Sequence, residues 1–208
     1  MTPARPFVPL SKARRAAIAD LATRAGRERQ GLFLLEGPRA IEDALSRRTR
    51  LSWLVADPSG EEAVGRWIAA GLVPESVALY RADSSELAEL ADTTTPQGVL
   101  AVGELPAEGL GALPETEDVR SGSLTGAPLL LVDGVQDPGN LGTLLRTLVA
   151  VGGNAAICCK GTVDPFNPKA LRGSAGAALE LAVARGVERA AVVEWCAERG
   201  VAIVALVA

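Results

Sequence analysis

Residues 129–147, LLLVDGVQDPGNLGTLLRT, decide the fold. Leu129-Leu130-Leu131-Val132 is a short apolar run bounded by turn signals, the pattern of a strand buried on both faces of a parallel sheet. From Asp133 to Asn140 the chain is polar, and Asp137-Pro138-Gly139 forces a turn, since proline fixes φ and glycine tolerates positive φ. Asn140 stands where a helix N-cap is wanted, its side-chain oxygen able to accept a free backbone N–H, which predicts a helix opening at Leu141. Leu141, Leu144, Leu145 and Leu148 follow at helical spacing and form the face that packs on the sheet. Arg146 lies off that stripe near the helix start, free to project towards the turn. One amide and one guanidinium thus stand at the C-terminal edge of a strand, where open α/β sheets bind ligands. Both also have plainer readings, the asparagine as a simple cap and the arginine as a solvated surface charge.

Outward from this stretch, composition bounds the answer. The 208 residues hold one large domain or two modest ones. Hydrophobic residues are 48% of the chain, enough for a real core, whereas aromatics at 3% argue against broad base-stacking platforms. A net charge of −4 argues against a generally basic nucleic-acid binder. The distribution differs from the sum: residues 1–50 carry 11 Lys/Arg against 5 Asp/Glu, and residues 51–208 carry 10 against 20. A basic N-terminal segment on an acidic body points to one end meeting a polyanion, although arginine-rich helices are often merely soluble ones. The chain has no histidine, which excludes histidine acid/base chemistry and histidine-containing metal sites, and no metal is expected. Cys158, Cys159 and Cys196, odd in number and in apolar surroundings, read as reduced core residues and not as disulfides. The sequence lacks an apolar signal core and any run approaching a membrane span, so a cytoplasmic protein without a membrane partner is expected.

Ser11 is placed to cap a helix running through Ala25, with Ile18, Leu21, Ala22 and Ala25 on one face and Gly26 closing it. Lys12, Arg14 and Arg15 fall in its first turn, where cations oppose the helix dipole, which favours a phosphate-contact role over helix stability. Arg27 and Arg29 extend the basic run. Strands at Leu32–Glu36, Trp53–Val55 and Val77–Tyr80 alternate with helices at Pro38–Arg47, Glu61–Ala70 and from Ser84 or Ser85, before an apolar segment ending at Val102. Residues 104–127 are rich in Gly, Pro, Ser and acids, have no periodic apolar face, and read as a mobile linker between domains at 1–103 and 128–208. Beyond the central stretch, strands at Ala155–Cys159, Leu181–Ala184 and Val201–Val207 alternate with helices from Pro168 and over Val187–Arg199, with a loop at Lys160–Lys169. The alternation predicts an α/β fold with a parallel sheet in the second half.

The order Asp133, Asp137-Pro138, Asn140, Gly142, Arg146-Thr147 resembles motif 1 of the SpoU (TrmH-like) RNA ribose methyltransferases of the SPOUT class. Asn167-Pro168-Lys169 and Arg172-Gly173-Ser174-Ala175-Gly176 extend that resemblance. Phe33 to Gly37 after a basic helix, and Thr95-Pro96-Gln97-Gly98, resemble the family's small N-terminal substrate-binding domain, an α/β module like ribosomal protein L30e. The resemblance covers nearly the whole chain. It implies S-adenosylmethionine-dependent methyl transfer to a ribose 2′-hydroxyl of RNA, ribosomal RNA by the family's habit, and a homodimer as the family's form. It places Arg146 and Asn140 in the catalytic centre, with Lys12, Arg14, Arg15, Arg27 and Arg29 as the RNA-binding candidates. A guanidinium is a poor base and a good fork of donors. Arg146 is therefore read as gripping the adjacent phosphate and stabilising the nascent alkoxide, with Asn140 fixing the loop and orienting Arg146 or the ribose.

The family builds its donor site in a C-terminal trefoil knot from two further motifs, a Gly-Ser/Asn-Glu-x-x-Gly loop and a Ser-Leu-Asn-x-Ser-x-Ala helix, and neither occurs in this sequence. The expectation is a methyltransferase domain lacking its knot segment, with no residue assigned to the cofactor. Two readings stand: an RNA methyltransferase, or a non-catalytic RNA-binding remnant or fragment of one. A dinucleotide-dependent enzyme is a poorer third, because the turn has no G-x-G-x-x-G and Asp137-Pro138 occupies the place where backbone would approach a pyrophosphate.

Overall fold

A computed structural model describes residues 5–113 and 128–205. In the first half, β1 (Val8–Pro9), β2 (Leu32–Glu36), β3 (Leu51–Ala56), β4 (Ala78–Arg81) and β5 (Val99–Glu104) form a mixed sheet in the order β1-β4-β3-β5-β2. Strands β1, β4 and β3 run parallel, and β5 is antiparallel to both β3 and β2. Because side chains alternate across a strand, the sheet feeds two cores. Leu34, Val55, Leu100 and Val102 meet Ile18 of α1 (Lys12–Asp20) and Leu87 and Leu90 of α5 (Ser84–Leu90). Phe33, Leu35, Leu54 and Ala101 meet Ile41 and Leu45 of α3 (Pro38–Ser46) and Val64 and Trp67 of α4 (Glu61–Ala69).

The single basic helix expected up to Ala25 is two helices. Ser11 does cap α1, accepting the Arg14 N–H at 3.3 Å, but α1 stops at Asp20 and Thr23 caps a second helix, α2 (Arg24–Gln30). Gly26 sits inside α2 and does not close α1. A Cβ at Gly26 would fall 2.0 Å from the Asp20 carbonyl oxygen, so only glycine lets the second helix start against the end of the first.

In the second half, β6 (Leu129–Val132), β7 (Ala155–Cys159) and β8 (Ala182–Val187) form a parallel sheet in that order. All five residues of β7 are buried. Ala156 and Cys158 face Leu141, Leu145 and Leu148 of α6 (Pro138–Ala150), whereas Ala155, Ile157 and Cys159 face Val192, Trp195 and Cys196 of α9 (Arg189–Arg199). Two short helices, α7 (Pro168–Gly173) and α8 (Ala177–Glu180), lie on the α6 side. Leu144 does not join the stripe predicted for it and is 37% exposed. The inward position beside Leu141 is taken by Gly142, where a Cβ would come within 2.6 Å of the Gly173 backbone. All three cysteines are free and buried, and burial first, then the neighbouring Cys159 and Asp164, pushes the Cys158 thiol up to about 12.

Two expectations fail here. Residues 201–205 form no strand, with Val204 79% exposed, and 206–208 lie outside the described residues. Apolar character alone makes no strand where no neighbouring strand pairs with it. Residues 105–113, expected as the start of a mobile linker, lie against β8. Gly109 donates to the Arg185 carbonyl at 3.2 Å, the Arg185 guanidinium pairs with Glu108 at 2.5 Å, and Leu113 is buried in the core beneath α9. The rest of that predicted linker, 114–127, lies outside the described residues.

The two sheets share one apolar core, which runs from α3 and α4 through Phe33 and Phe166, 5.5 Å apart between ring centroids, to α6 and α8. No described helix is long and apolar enough to cross a membrane.

Candidate functional site

The turn after β6 is built differently at its helix start from the sequence expectation. Helix α6 opens at Pro138, three residues before Leu141, and Asp137 is the N-cap, its Oδ1 accepting the Asn140 backbone N–H at 2.7 Å. Proline suits the first helical position, where its missing N–H has no partner to lose, and aspartate caps as well as asparagine. Asn140 is therefore not a cap: its side chain is exposed in the first turn of the helix. Arg146 is also exposed, about a turn and a half further on. Six residues of helix set Asn140 and Arg146 about 9 Å apart along the axis and about 120° apart around it. Thr143 lies between them, but its hydroxyl donates to the Gly139 carbonyl at 3.0 Å.

The turn is buttressed by the loop after β7. The Thr162 hydroxyl accepts the Gly134 N–H and donates to the Val132 carbonyl, each at 3.1 Å, and the Val163 N–H donates to the Val135 carbonyl at 2.8 Å. The Gln136 amide donates to the Gly161 carbonyl. In the same loop Asp164 is buried, with Oδ1 accepting the Phe166 N–H at 3.0 Å and Oδ2 turned towards Arg27.

The five arginines and lysines predicted to meet RNA divide sharply. Arg27 is 1% exposed and pairs with Asp164 at 2.6 Å, so it is sealed inside the molecule and out of reach of a phosphate. The other four remain at or near the surface. Arg15 pairs with Glu86 and Arg29 with Asp20, each at 2.5 Å. Arg14 lies 4.3 Å from the Trp53 ring centroid and 5.3 Å from that of Tyr80. Lys12 is exposed at the start of α1. Exposed ion pairs such as Arg29–Asp20 are worth about 0–1 kcal/mol and exchange readily for another anion.

Sequence reasoning missed a second polar junction. Glu36, at the end of β2, accepts the backbone N–H groups of Asp92 and Thr93 at 3.0 and 3.2 Å and the Thr93 hydroxyl. Arg172 of α7 reaches across to Asp92 at 2.5 Å and to Glu36 at 3.6 Å. The available signal was the pairing of an acid closing an apolar strand with an arginine far along the chain, which spacing alone does not match up.

An open cavity of about 670 Å³ lies at the C-terminal edge of the parallel sheet, lined by Asp133, Lys160, Glu188, Arg189 and the apolar flank of α9. Arg189 pairs with Asp133 at 2.6 Å and Lys160 with Glu188 at 2.7 Å, while Glu194 also lines the cavity with no ion pair among the described residues. Among the described residues no cluster of acids and cysteines is arranged to hold a metal ion.

Two family models match the chain, an MRM3-like substrate binding domain over residues 16–101 and the SpoU rRNA Methylase family over residues 127–208. The human mitochondrial rRNA methyltransferase 3 is 31% identical over 175 residues, which cover 80% of this chain and 38% of that protein. The 23S rRNA (guanosine(2553)-2′-O)-methyltransferase RlmP of Bacillus subtilis is 31% identical over 165 residues, 79% of this chain and 58% of that protein. Among solved structures, the SpoU methyltransferase AviRb of Streptomyces viridochromogenes in complex with AdoMet superposes with a TM-score of 0.77 at 27% identity, covering 91% of this chain and 69% of that one. The chain thus spans between about two fifths and three fifths of the two named sequence relatives. With a substrate-binding model on its first half and a methylase model on its second, this chain belongs to the SpoU rRNA methylase family.

Proposed function

We propose that the protein methylates a ribose 2′-hydroxyl of ribosomal RNA with S-adenosylmethionine as donor. The observation that carries this reading is the placement of Asn140 and Arg146, both exposed and neither held by an ion pair or side-chain hydrogen bond among the described residues, on the helix that leaves the C-terminal end of β6. The relatives' names support the catalytic reading over an inactive remnant, and RlmP and the human relative point to ribosomal RNA. The proposal extends to the homodimer that the family resemblance implies.

Bound S-adenosylmethionine supplies an electrophilic methyl carbon; no described residue is assigned to holding it. What this chain contributes is positioning and charge. Arg146 binds the phosphate beside the target nucleotide through its fork of donors and steadies negative charge as the ribose hydroxyl loses its proton. Asn140, a turn and a half nearer the helix start, orients the ribose. Lys12, Arg14, Arg15 and Arg29 hold the RNA backbone at the other half. Alignment of ribose oxygen and methyl carbon is worth about 7–11 kcal/mol of the barrier, which is why the relation between the halves matters.

The test is to incubate the full-length protein with methyl-labelled S-adenosylmethionine and ribosomal RNA, digest the RNA to nucleosides and identify the labelled product by mass spectrometry. A 2′-O-methylnucleoside is expected. Label on a base, or none on any ribosomal RNA while a known methyltransferase labels the same preparation, would overturn the reading.

A further inference from the structure

Arg27 is the largest side chain buried outright among the described residues, and RNA contact does not account for it. Its guanidinium holds three partners at once. Nε and Nη2 grip Asp164 Oδ2 at 2.7 and 2.6 Å, and Nη1 donates to the carbonyls of Leu21 at 2.9 Å and Ala22 at 3.2 Å, just beyond the end of α1. One fork therefore ties the end of α1 and the body of α2 to the loop after β7. That loop is in turn bonded along the catalytic turn, through Thr162 to Val132 and Gly134, through Val163 to Val135, and through Gly161 to Gln136. Contiguous polar contacts thus run from the basic arm to the turn that launches α6.

A second tie runs the opposite way. Arg172 projects from α7, whose Gly173 backbone closes on Gly142 of α6, donates to Asp92 and stands 3.6 Å from Glu36 in the first half. Each clamp is anchored on α6 or on its turn. Arg24 adds cationic field around the first clamp: its pKa is raised by its hydrogen bond to Glu28, against burial, with Asp164 and Glu108 contributing.

We propose that Arg27 is a positioning residue for methyl transfer, whose buried pair with Asp164 fixes the substrate-binding half over the turn carrying Asn140 and Arg146, so that RNA held by one half presents its ribose to the other. The turnover part of this inference rests on the proposed function; the geometric part does not.

The test uses the full-length protein carrying either Arg27→Lys, which keeps the charge without the fork, or Arg27→Met with Asp164→Leu, which removes both buried charges together and so strands neither. Spin labels on cysteines introduced at the exposed Ala69 of α4 and Ala190 of α9 report the separation of the halves; the three native cysteines are buried and do not compete. The double variant should broaden or shift that distance distribution and lower kcat about 100-fold, the scale of an ångström-level misplacement. Its RNA affinity should stay within about threefold, with the salt dependence unchanged because no phosphate contact is lost. Arg27→Lys should fall between it and the parent. A salt slope reduced by about one contact would make Arg27 a phosphate ligand instead. An unchanged distance distribution in both variants would overturn the proposal whether or not the protein methylates RNA, and absence of methyl transfer by the parent would sink the proposed function alone.

Discussion

Asp57 shows how a single carboxylate is held in this fold. Burial alone raises its pKa, but the hydroxyls of Ser59 and Ser84 and the backbone N–H groups of Gly60 and Ser59 outweigh burial and hold it below the usual carboxylate range. A folded pKa below the unfolded one gives stability that is fully present above about pH 4, the unfolded value, and is lost as pH falls through the folded value. Asp57→Asn should therefore flatten the acid limb of a denaturant-stability profile and cost about 1–3 kcal/mol near neutrality; an unchanged acid limb would show that these bonds contribute nothing. Arg27 and Arg29 offer a sharper contrast at the same scale. Arg27→Ala strands Asp164 as a buried charge and should cost about 3–5 kcal/mol, whereas Arg29→Ala breaks an exposed pair and should cost no more than about 1 kcal/mol. Urea unfolding of the two variants measures the difference, and equal losses would contradict the burial argument. Nothing near Arg27 in the sequence distinguishes it from Arg29, because its partner lies 137 residues away. That Arg146 lies off the apolar stripe was legible because helical spacing acts over a few residues, whereas the cap expected at Asn140 is Asp137. The clamp was not legible, because it exists only after the halves dock.

Among the elements, β7 could be read directly, since a strand buried along its whole length must be apolar throughout; β6, expected to be buried on both faces, is instead an edge strand with Leu129, Leu130 and Leu131 only half-buried. The helix of residues 12–25 was misread because Thr23 is as good a cap as Ser11, and a weakly periodic run does not reveal where one helix yields to the next. The start of α6 was misplaced by three residues for a similar reason, two good caps standing side by side at Asp137 and Asn140. Glycines make the element-scale argument testable. At Gly142 an added Cβ would come within 2.6–2.8 Å of backbone atoms of Ala170, Gly173 and Ser174, so Gly142→Ala should separate α6 from α7 at a cost of about 1–3 kcal/mol. At Gly65, inside α4, nothing lies within 4 Å, and Gly65→Ala should stabilise by about 0.5–1 kcal/mol through helix propensity. Thermal melting of both variants should show opposite shifts; shifts of the same sign would contradict the close α6–α7 contact.

For the whole molecule, the two halves expected on either side of residues 104–127 each carry their own sheet and also share one apolar core, tied by Arg27–Asp164, Arg172–Glu36, Arg172–Asp92 and Arg47–Glu180. A protease site engineered at residue 120 and then cut should leave two pieces that migrate together on gel filtration until denaturant is added; separation under native conditions would refute the shared core. This docking gives the proposed chemistry its geometry, because RNA bound on the basic arm reaches Arg146 only if the halves keep their relation. The proposed chemistry requires that Arg146 act on the reacting ribose and not stand as a mere surface charge. Its most direct test is the single-turnover rate of methyl transfer to saturating ribosomal RNA by the full-length protein with Arg146→Ala. A loss of about 10²–10³-fold is expected, as for removal of a charge-stabilising donor, with RNA affinity within about threefold; a rate within about threefold of the unaltered protein would contradict that role for Arg146.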